Sequence, residues 1–590
     1  MLLSSTFAVL LLAASSIAHP VEERAEFQEE NFAIDQHRST RELMITLEKT
    51  ERQDAKFRER LSGNCTRADR IVHNVRQEEW NTVWREGEGT YPGQMFGLAR
   101  GRIATTMLWN ITRRMPKGAL LHAHLTAMLP FDKLLRIVLD TPGMHVRSSV
   151  SLATPTQRQT AKVYFKYINV DLPTTASIST VSVNDPAYPS DGQGGWWPLQ
   201  QAADAFPGGE ASFSEFALSK MMIQPEDARR HDLGVDEVWQ RFEPFFDQGG
   251  TMLEYEPIVR QFWGELFQEL VEDRISWVEI RAGGSKGKLV LNGTNEPDPD
   301  DADIWWTVMQ EELDSFKAAR AESAGTDADG SVDPFHGARV IYSQARGARK
   351  ESIRNNMRNA LGRKQKFPEI FSGYDLIAQE DLGATLLDLA PELLWFQQEA
   401  KEKNLTVPFF FHAGETLGDG NATDLNLFDA VLLGTRRIGH GFSLYKHPEL
   451  IQAVKKKNIM VEVCPISNEV LRLATDILHH PMPAMVAHGV ATAISNDDPA
   501  MLGQEAAGLS YDFYQVIQGF DNIGLAGLGA IAQNSLRWAN FEDQDDRAWG
   551  LDIELGEFGG GTKGDRIREW NAQFELYCQE VNRDYAAYDY

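Results

Sequence analysis

ALLHAHL, residues 119–125, is an apolar, strand-like run that closes on His-Ala-His. The first strand of an open doubly wound sheet is instead followed by a glycine-rich phosphate loop. Working outward, seven further short apolar runs rich in β-formers occur at 277–282, 340–343, 373–378, 407–412, 437–442, 459–464 and 490–495. Between most of them lie helical patterns such as YEPIVRQFWGELFQELVEDR (255–274) and TLLDLAPELLWFQQEAKEK (385–403). Eight strands alternating with helices predict an α/β fold, a (β/α)8 TIM barrel.

The flanks differ in character. Residues 1–18, with no charged side chain and the run FAVLLL (7–12), read as a secretory signal peptide cut near Ala18. Residues 19–95 form a charged, helix-prone arm whose apolar residues are too sparse to close a core alone, so it needs a partner. Within a barrel domain spanning 96–540, residues 141–236 are rich in Thr, Ser, Pro and Gly and read as an inserted subdomain after the first barrel strand; 541–590 is a C-terminal helical extension.

A formal net charge of -27 opposes a nucleic-acid backbone or an anionic membrane as main partner, since either would repel the chain at long range. Beyond the leader no apolar run is long enough to span a bilayer. Five Asn-x-Ser/Thr sequons, at Asn64, Asn110, Asn292, Asn404 and Asn421, agree with a secreted, extracellular destination. Three cysteines exclude a disulfide scaffold; Cys65 and Cys578 are available to pair, and Cys464 in an apolar strand reads as a buried free thiol.

Chemistry in a barrel sits at the C-terminal ends of the strands. The first run ends in His122-Ala123-His124, the fifth in His412-Ala413-Gly414-Glu415, the sixth in Gly439-His440-Gly441 and the eighth in Asn496-Asp497-Asp498-Pro499. Alternation along a strand aims His122 and His124 to one side, and a metal is the shared partner that offsets their desolvation. His122, His124, His412 and Asp497 make a suitable set for one Zn2+. Glu415 is placed for general acid/base work, His440 to orient or deprotonate a water, and Asp498 to hydrogen-bond the substrate.

These residues resemble the adenosine deaminase family of metal-dependent barrels, and more closely its secreted branch, the adenosine deaminase growth factor family. The matching stretches are MPKGALLHAHL (115–125), VWQRFEPFF (238–246), WVEIRA (277–282), FPEIFSGYDLIAQED (367–381), PFFFHAGET (408–416), RIGHGFSLYKHPEL (437–450), VEVCPISNEVL (461–471), ISNDDPAMLG (494–503) and LSYDFY (509–514). The resemblance implies hydrolytic deamination of adenosine and deoxyadenosine by zinc-hydroxide attack at purine C6. Glu415 would give a proton to N1, His440 would position the hydroxide and Asp498 would bond the base. It further implies a homodimer through the N-terminal arm, an insertion near the active-site mouth, and Trp239 and Phe242 covering the nucleoside. The other zinc deaminase type uses His-x-Glu with Pro-Cys-x-x-Cys, a pattern this chain lacks.

Three positions depart from the family pattern. Leu125 stands where relatives commonly carry an acid, Ala345 where they carry a histidine, and Ala378 where they carry a glycine whose backbone N–H meets the purine. The first two relax the expected 5′ pocket, so a broad-specificity enzyme accepting 5′-AMP, with Arg281, Lys286, Arg346 or Arg349 approaching the phosphate, is the alternative to a nucleoside deaminase. A catalytically silent, growth-factor-like binding protein is the third reading. It predicts loss of a ligand or of the acid, and none is lost.

Overall fold

The computed structural model describes residues 23–590 apart from 86–88, 180, 187, 190–194, 231, 284–288, 299–301 and 325–333. The expected signal peptide, residues 1–18, and Lys286 lie outside the described residues. Strand β1 (Gly118–His124) opens the barrel. A small separate sheet follows, made of β2 (Met144–Ser148), β3 (Val163–Tyr167), β4 (Ser177–Ile178) and β5 (Gly195–Pro198) in the order β3-β2-β5-β4. The barrel resumes with β6 (Ile275–Gly283), β7 (Gly337–Ala345), β8 (Phe371–Ile377), β9 (His412–Ala413), β10 (Arg437–His440), β11 (Met460–Val463) and β12 (Thr492–Ile494).

Two parallel ladders, β1-β6-β7-β8 and β12-β11-β10-β9, carry the eight barrel strands. Parallel bridges Tyr374↔Phe409 and Ala123↔Asp497 join them into a ring. Each of the eight apolar runs supplies one strand. The fifth is the least regular: of the run 407–412 only His412 enters β9, and the phenylalanines before it meet β8 through the single Tyr374 bridge. Phe410 instead packs over Gly373, where a Cβ would lie 2.6 Å from its ring and 2.4 Å from the Pro408 carbonyl oxygen. Such a contact admits only glycine.

The charged N-terminal arm divides in two. Helix α1 (Glu23–Glu51) exposes Phe32, Ile34, Leu43, Met44 and Leu47. Helix α2 (Gly63–Asn81) is capped by Ser62, whose hydroxyl accepts from the Cys65 N–H, and buries Cys65, Ala68, Ile71, Val72 and Val75 along one stripe. Helix α3 (Val235–Gly250) leans over the barrel mouth, and α4 (Gly524–Arg537) and α5 (Thr562–Asp584) receive the α2 stripe. The expectation that the whole arm needs a partner is thus met for α2 within its own chain, because its apolar residues recur at helical spacing. Cys65 and Cys578 form a disulfide between α2 and α5, with Cα atoms 5.0 Å apart, and Cys464 is a buried free thiol. Among the described residues no helix is long and apolar enough to cross a membrane.

Candidate metal and catalytic centre

The ends of β1, β9, β10 and the residues just after β12 meet at one mouth of the ring. Ala123 pairs with Asp497, so His122 and His124 flank the carboxylate from β1. Gly439 on β10 leaves room for the imidazole of His122, which reaches it from β1 through the barrel interior, since a Cβ there would stand 2.8 Å from the His122 ring. The chain turns off three strands through left-handed backbone at non-glycine residues, Ala378 (φ +75°), His440 (φ +59°) and Asp497 (φ +58°). Such conformations cost roughly 1–3 kcal/mol each and gather where a side chain must be aimed. At Ala378 the positive φ is one that glycine would adopt without strain.

One ligand atom from each of His122, His124, His412 and Asp497 lies within 4.8 Å of every other. All four residues are buried. Asp497 Oδ1 stands 3.3 Å from His122 Nε2 and 3.2 Å from His124 Nε2. Yet His122 Nε2 and Asp497 Oδ1 have no hydrogen-bond partner. Lone pairs converging on one point without bonding each other are what a divalent cation satisfies, so the residues present fit the metal.

The outer nitrogens of the histidines are held from below. His122 Nδ1 meets Glu462 Oε2 at 2.9 Å and His412 Nδ1 meets Asp375 Oδ2 at 2.6 Å. Arg281 joins these two carboxylates, donating to Asp375 at 2.7 Å and to Glu462 at 2.8 Å, and also bonds the carbonyls of Leu121 and Phe410. Arg437 pairs with Glu462 and Glu279. This polar column fixes which histidine nitrogen faces the mouth, as outer-shell carboxylates do around bound metals. Burial pulls the His412 pKa down to about 3, outweighing Asp375, so the imidazole is the neutral form a ligand requires. The histidine and arginine neighbours hold Asp375 and Glu462 ionised against the opposing effect of burial. Sequence reasoning missed Asp375, Glu462, Glu279 and Arg437; the available signal was a charged residue inside each of four strands that should otherwise read as apolar runs.

Above the ligands stand two acids of opposite character to Asp497. Burial, then the charges of Asp497 and Glu380, drive the Glu415 pKa well above the carboxylate range, and burial followed by Asp497 and Glu415 does the same for Asp498. Glu415 lies 3.6 Å from His440 Nδ1, and its N–H bonds Glu380 Oε1 at 3.0 Å. His440 Nε2 lies 3.8 Å from Asp497 Oδ2. A relay orients its ring: His480 Nε2 meets Asn468 Oδ1 at 3.0 Å, and Asn468 Nδ2 meets His440 Nδ1 at 3.3 Å.

Trp239 and Phe242 are buried on α3. Their ring contacts continue to Phe246, whose ring is 6.3 Å from that of His124. Phe246, one turn beyond Phe242, is therefore the aromatic that reaches the centre. Next to it opens a depression lined by residues 234–237, Asp381, Leu382, Thr416, Gly418, Asn421 and Thr423, with no cation among its lining residues. Asp236 accepts from Gln379 at 2.7 Å, and Thr416 donates to Asp381 at 2.7 Å.

The expected phosphate cations require correction. Arg281 is locked in the barrel interior as described, and Arg346 is buried with its guanidinium on Glu380 and the carbonyls of Leu376 and His412. Both serve the scaffold. Leu125 is buried, while Ala345 and Arg349 are exposed. All five sequon asparagines are exposed.

The adenosine deaminase family profile matches residues 226–552. Adenosine deaminase 2-A of Danio rerio is 31% identical over 465 residues, covering 77% of this chain and 82% of that protein. Adenosine deaminase 2 of Homo sapiens is 32% identical over 458 residues, covering 77% and 80%. Among solved structures, an adenine deaminase from Arthrobacter aurescens aligns with a TM-score of 0.45 at 16% identity, covering 78% of this chain and 99% of that one. The chain belongs to the adenosine deaminase family, in its adenosine deaminase growth factor branch.

Proposed function

We propose that this protein is a secreted, zinc-dependent adenosine deaminase that hydrolyses adenosine and deoxyadenosine to the inosine products and ammonia. The observation that carries the reading is the pairing of a buried ligand set, His122, His124, His412 and an ionised Asp497, with a Glu415 whose pKa burial drives well above the carboxylate range, on the mouth side of it. Zn2+ held by His122, His124, His412 and Asp497 would supply the Lewis acidity that activates water for attack. Glu415, held neutral by burial and by Asp497, gives its proton to purine N1 and so prepares C6 for attack. His440, steadied by Asn468 and His480, orients the attacking oxygen. Asp498 bonds the purine edge beside the backbone N–H at Ala378, and the aromatic ladder of Trp239, Phe242 and Phe246 excludes water from the face of the nucleoside.

The depression beside this site supports a nucleoside substrate. Asp236, Glu237 and Asp381 line it, and a 5′-phosphate there would meet carboxylates and no cation. Asp236 belongs to the inserted segment, so the negative charge absent at Leu125 is replaced from another part of the chain. The Cys65–Cys578 disulfide suits an oxidising compartment and supports secretion. The exposed apolar residues of α1 fit the role of a homodimer contact, and the exposed sequons that of glycan acceptors. No ligand or acid is missing, which disfavours a silent binding protein.

An ultraviolet assay on adenosine, deoxyadenosine and 5′-AMP before and after chelation tests the proposal, with elemental analysis of the active protein alongside. Glu415→Gln should retain one metal per chain and lose turnover by about two to four orders of magnitude, the range of a lost general acid. Activity that persists in metal-free protein, or full turnover by the Gln variant, would overturn it.

A further inference from the structure

The four-residue ligand set is not the sole one at this mouth. His122, His440, Cys464 and Asp497 also each offer one ligand atom, all within 4.8 Å of one another and all buried. Cys464 follows β11 directly, and its sulfur has only a long contact to the Glu462 carbonyl, 3.9 Å away. The His122 and His440 rings are 4.7 Å apart, and His440 Nε2 is 3.8 Å from Asp497 Oδ2. His122 and Asp497 are shared by both sets, and His122 Nε2 and Asp497 Oδ1 are among the buried atoms without a hydrogen-bond partner.

The two sets differ in one chemically decisive way. The first offers three imidazoles and a carboxylate; the second exchanges two of the imidazoles for His440 and a sulfur. Thiolate is a soft donor that favours thiophilic ions over the harder oxygen and nitrogen company. Because the Nδ1 of His122 is already on Glu462, one lone pair, on Nε2, is left for a metal, and it cannot serve two ions together. The positions therefore exclude each other.

We propose that the centre contains a second, mutually exclusive cation seat formed by His122, His440, Cys464 and Asp497, taken by soft divalent ions such as Cd2+. The inference rests on the metal-centre reading given above. On binding, the Cys464 S–H bond breaks, its proton leaves to solvent and a metal–sulfur bond forms, while the His440 proton moves from Nε2 to Nδ1, where the turned Asn468 amide accepts it through Oδ1 and frees the Nε2 lone pair. An ion held there leaves His124 and His412 without a metal and removes His440 from its place beside the substrate. The loaded protein is then inactive although it carries one ion per chain.

The test uses full-length metal-free protein given one equivalent of Cd2+ or, separately, Zn2+. Cys65 and Cys578 are joined, so Cys464 is the one free thiol. Cadmium-loaded wild type should show the ultraviolet sulfur-to-cadmium charge-transfer band and no deaminase turnover. Cys464→Ser should lose the band and, with cadmium thrown back on His124 and His412, gain turnover that the cadmium-loaded wild type lacks. Cadmium-113 resonance on the wild type, shifted as for a one-sulfur site, gives the same answer should the Ser variant fail to fold. Absence of the band in cadmium-loaded wild type, or its persistence in Cys464→Ser, overturns the second seat. If Zn2+ also fails to bind at one equivalent, the metal-centre reading itself is overturned.

Discussion

Arg281→Met asks how much the buried column contributes. The side chain lies wholly inside the ring, bonded to Asp375 at 2.7 Å, Glu462 at 2.8 Å, and the carbonyls of Leu121 and Phe410 at 3.0 and 3.2 Å. Methionine fills similar space and satisfies none of these. Glu462 keeps Arg437 and His122, whereas Asp375 keeps the His412 ring and the backbone N–H groups of Leu376 and His412 but no cation. The net loss is thus close to one uncompensated buried carboxylate, about 3–5 kcal/mol. Since Asp375 and Glu462 orient two of the metal-binding histidines, metal affinity should fall about 10- to 100-fold as well. Thermal unfolding with saturating Zn2+ measures the first effect and chelator competition the second. Arg281→Lys, which keeps charge but not the planar fork, should fall between wild type and Met. An Arg281→Met protein with unchanged unfolding and unchanged metal affinity would refute the assignment of Arg281 as the tie between the two ligands.

Three further outcomes follow from other parts of the molecule. Glu79, buried on α2 and accepting from the Met107 N–H at 2.6 Å, has its pKa raised by burial to about 7 from an ordinary 4.5. Its folded pKa exceeds its unfolded one, so its contribution is full below pH 4.5 and lost as pH rises toward 7; the unfolding difference between wild type and Glu79→Gln should change by about 3 kcal/mol over that window. Reduction of Cys65–Cys578, or Cys65→Ser, frees a separation of 513 residues, for which the chain-entropy estimate is about 6 kcal/mol and the usual observed loss about 2–5 kcal/mol, readable as a lower melting temperature under reductant. Asp236→Asn removes one like charge near the mouth and should raise the ratio of 5′-AMP to adenosine turnover about fivefold at low salt, since one screened charge is worth about 1 kcal/mol; an unmoved ratio would remove Asp236 from specificity.

The barrel was legible because every strand announces itself by an apolar run, and four of the eight runs also end in the polar residues that make the site. His122, His124, His412 and Asp497 could be placed together from that pattern alone, before any neighbour was known. The column beneath them could not. Arg281 and Glu462 are 181 residues apart and Arg281 and Asp375 are 94 apart, and a single charged residue in a strand does not say which strand will face it across a closed ring. Arg281 was accordingly read as a phosphate contact, whereas its donors are used up within the scaffold. The arm shows the complementary limit: α1 and α2 are both charged helical sequences, and only the stripe of Ala68, Ile71, Val72 and Val75 distinguishes the one that packs on its own chain. Phe246 lies one turn beyond Phe242 in the same stretch VWQRFEPFF, but the family resemblance implied only Trp239 and Phe242 as the cover.

The interior column also sets an electrostatic condition on the ion. Within the ion-paired column and its carboxylate ligand, four buried acids, Glu279, Asp375, Glu462 and Asp497, face the two buried guanidiniums of Arg281 and Arg437, an excess of two acids. A dication brings that enclosure to neutrality; a monovalent ion would leave a deficit and a trivalent one an excess, each penalised by the low dielectric. Valence selection is thereby written into residues that never touch the metal, and any substitution that alters the sum, Glu279→Gln among them, should loosen the preference for doubly charged ions without changing a single ligand.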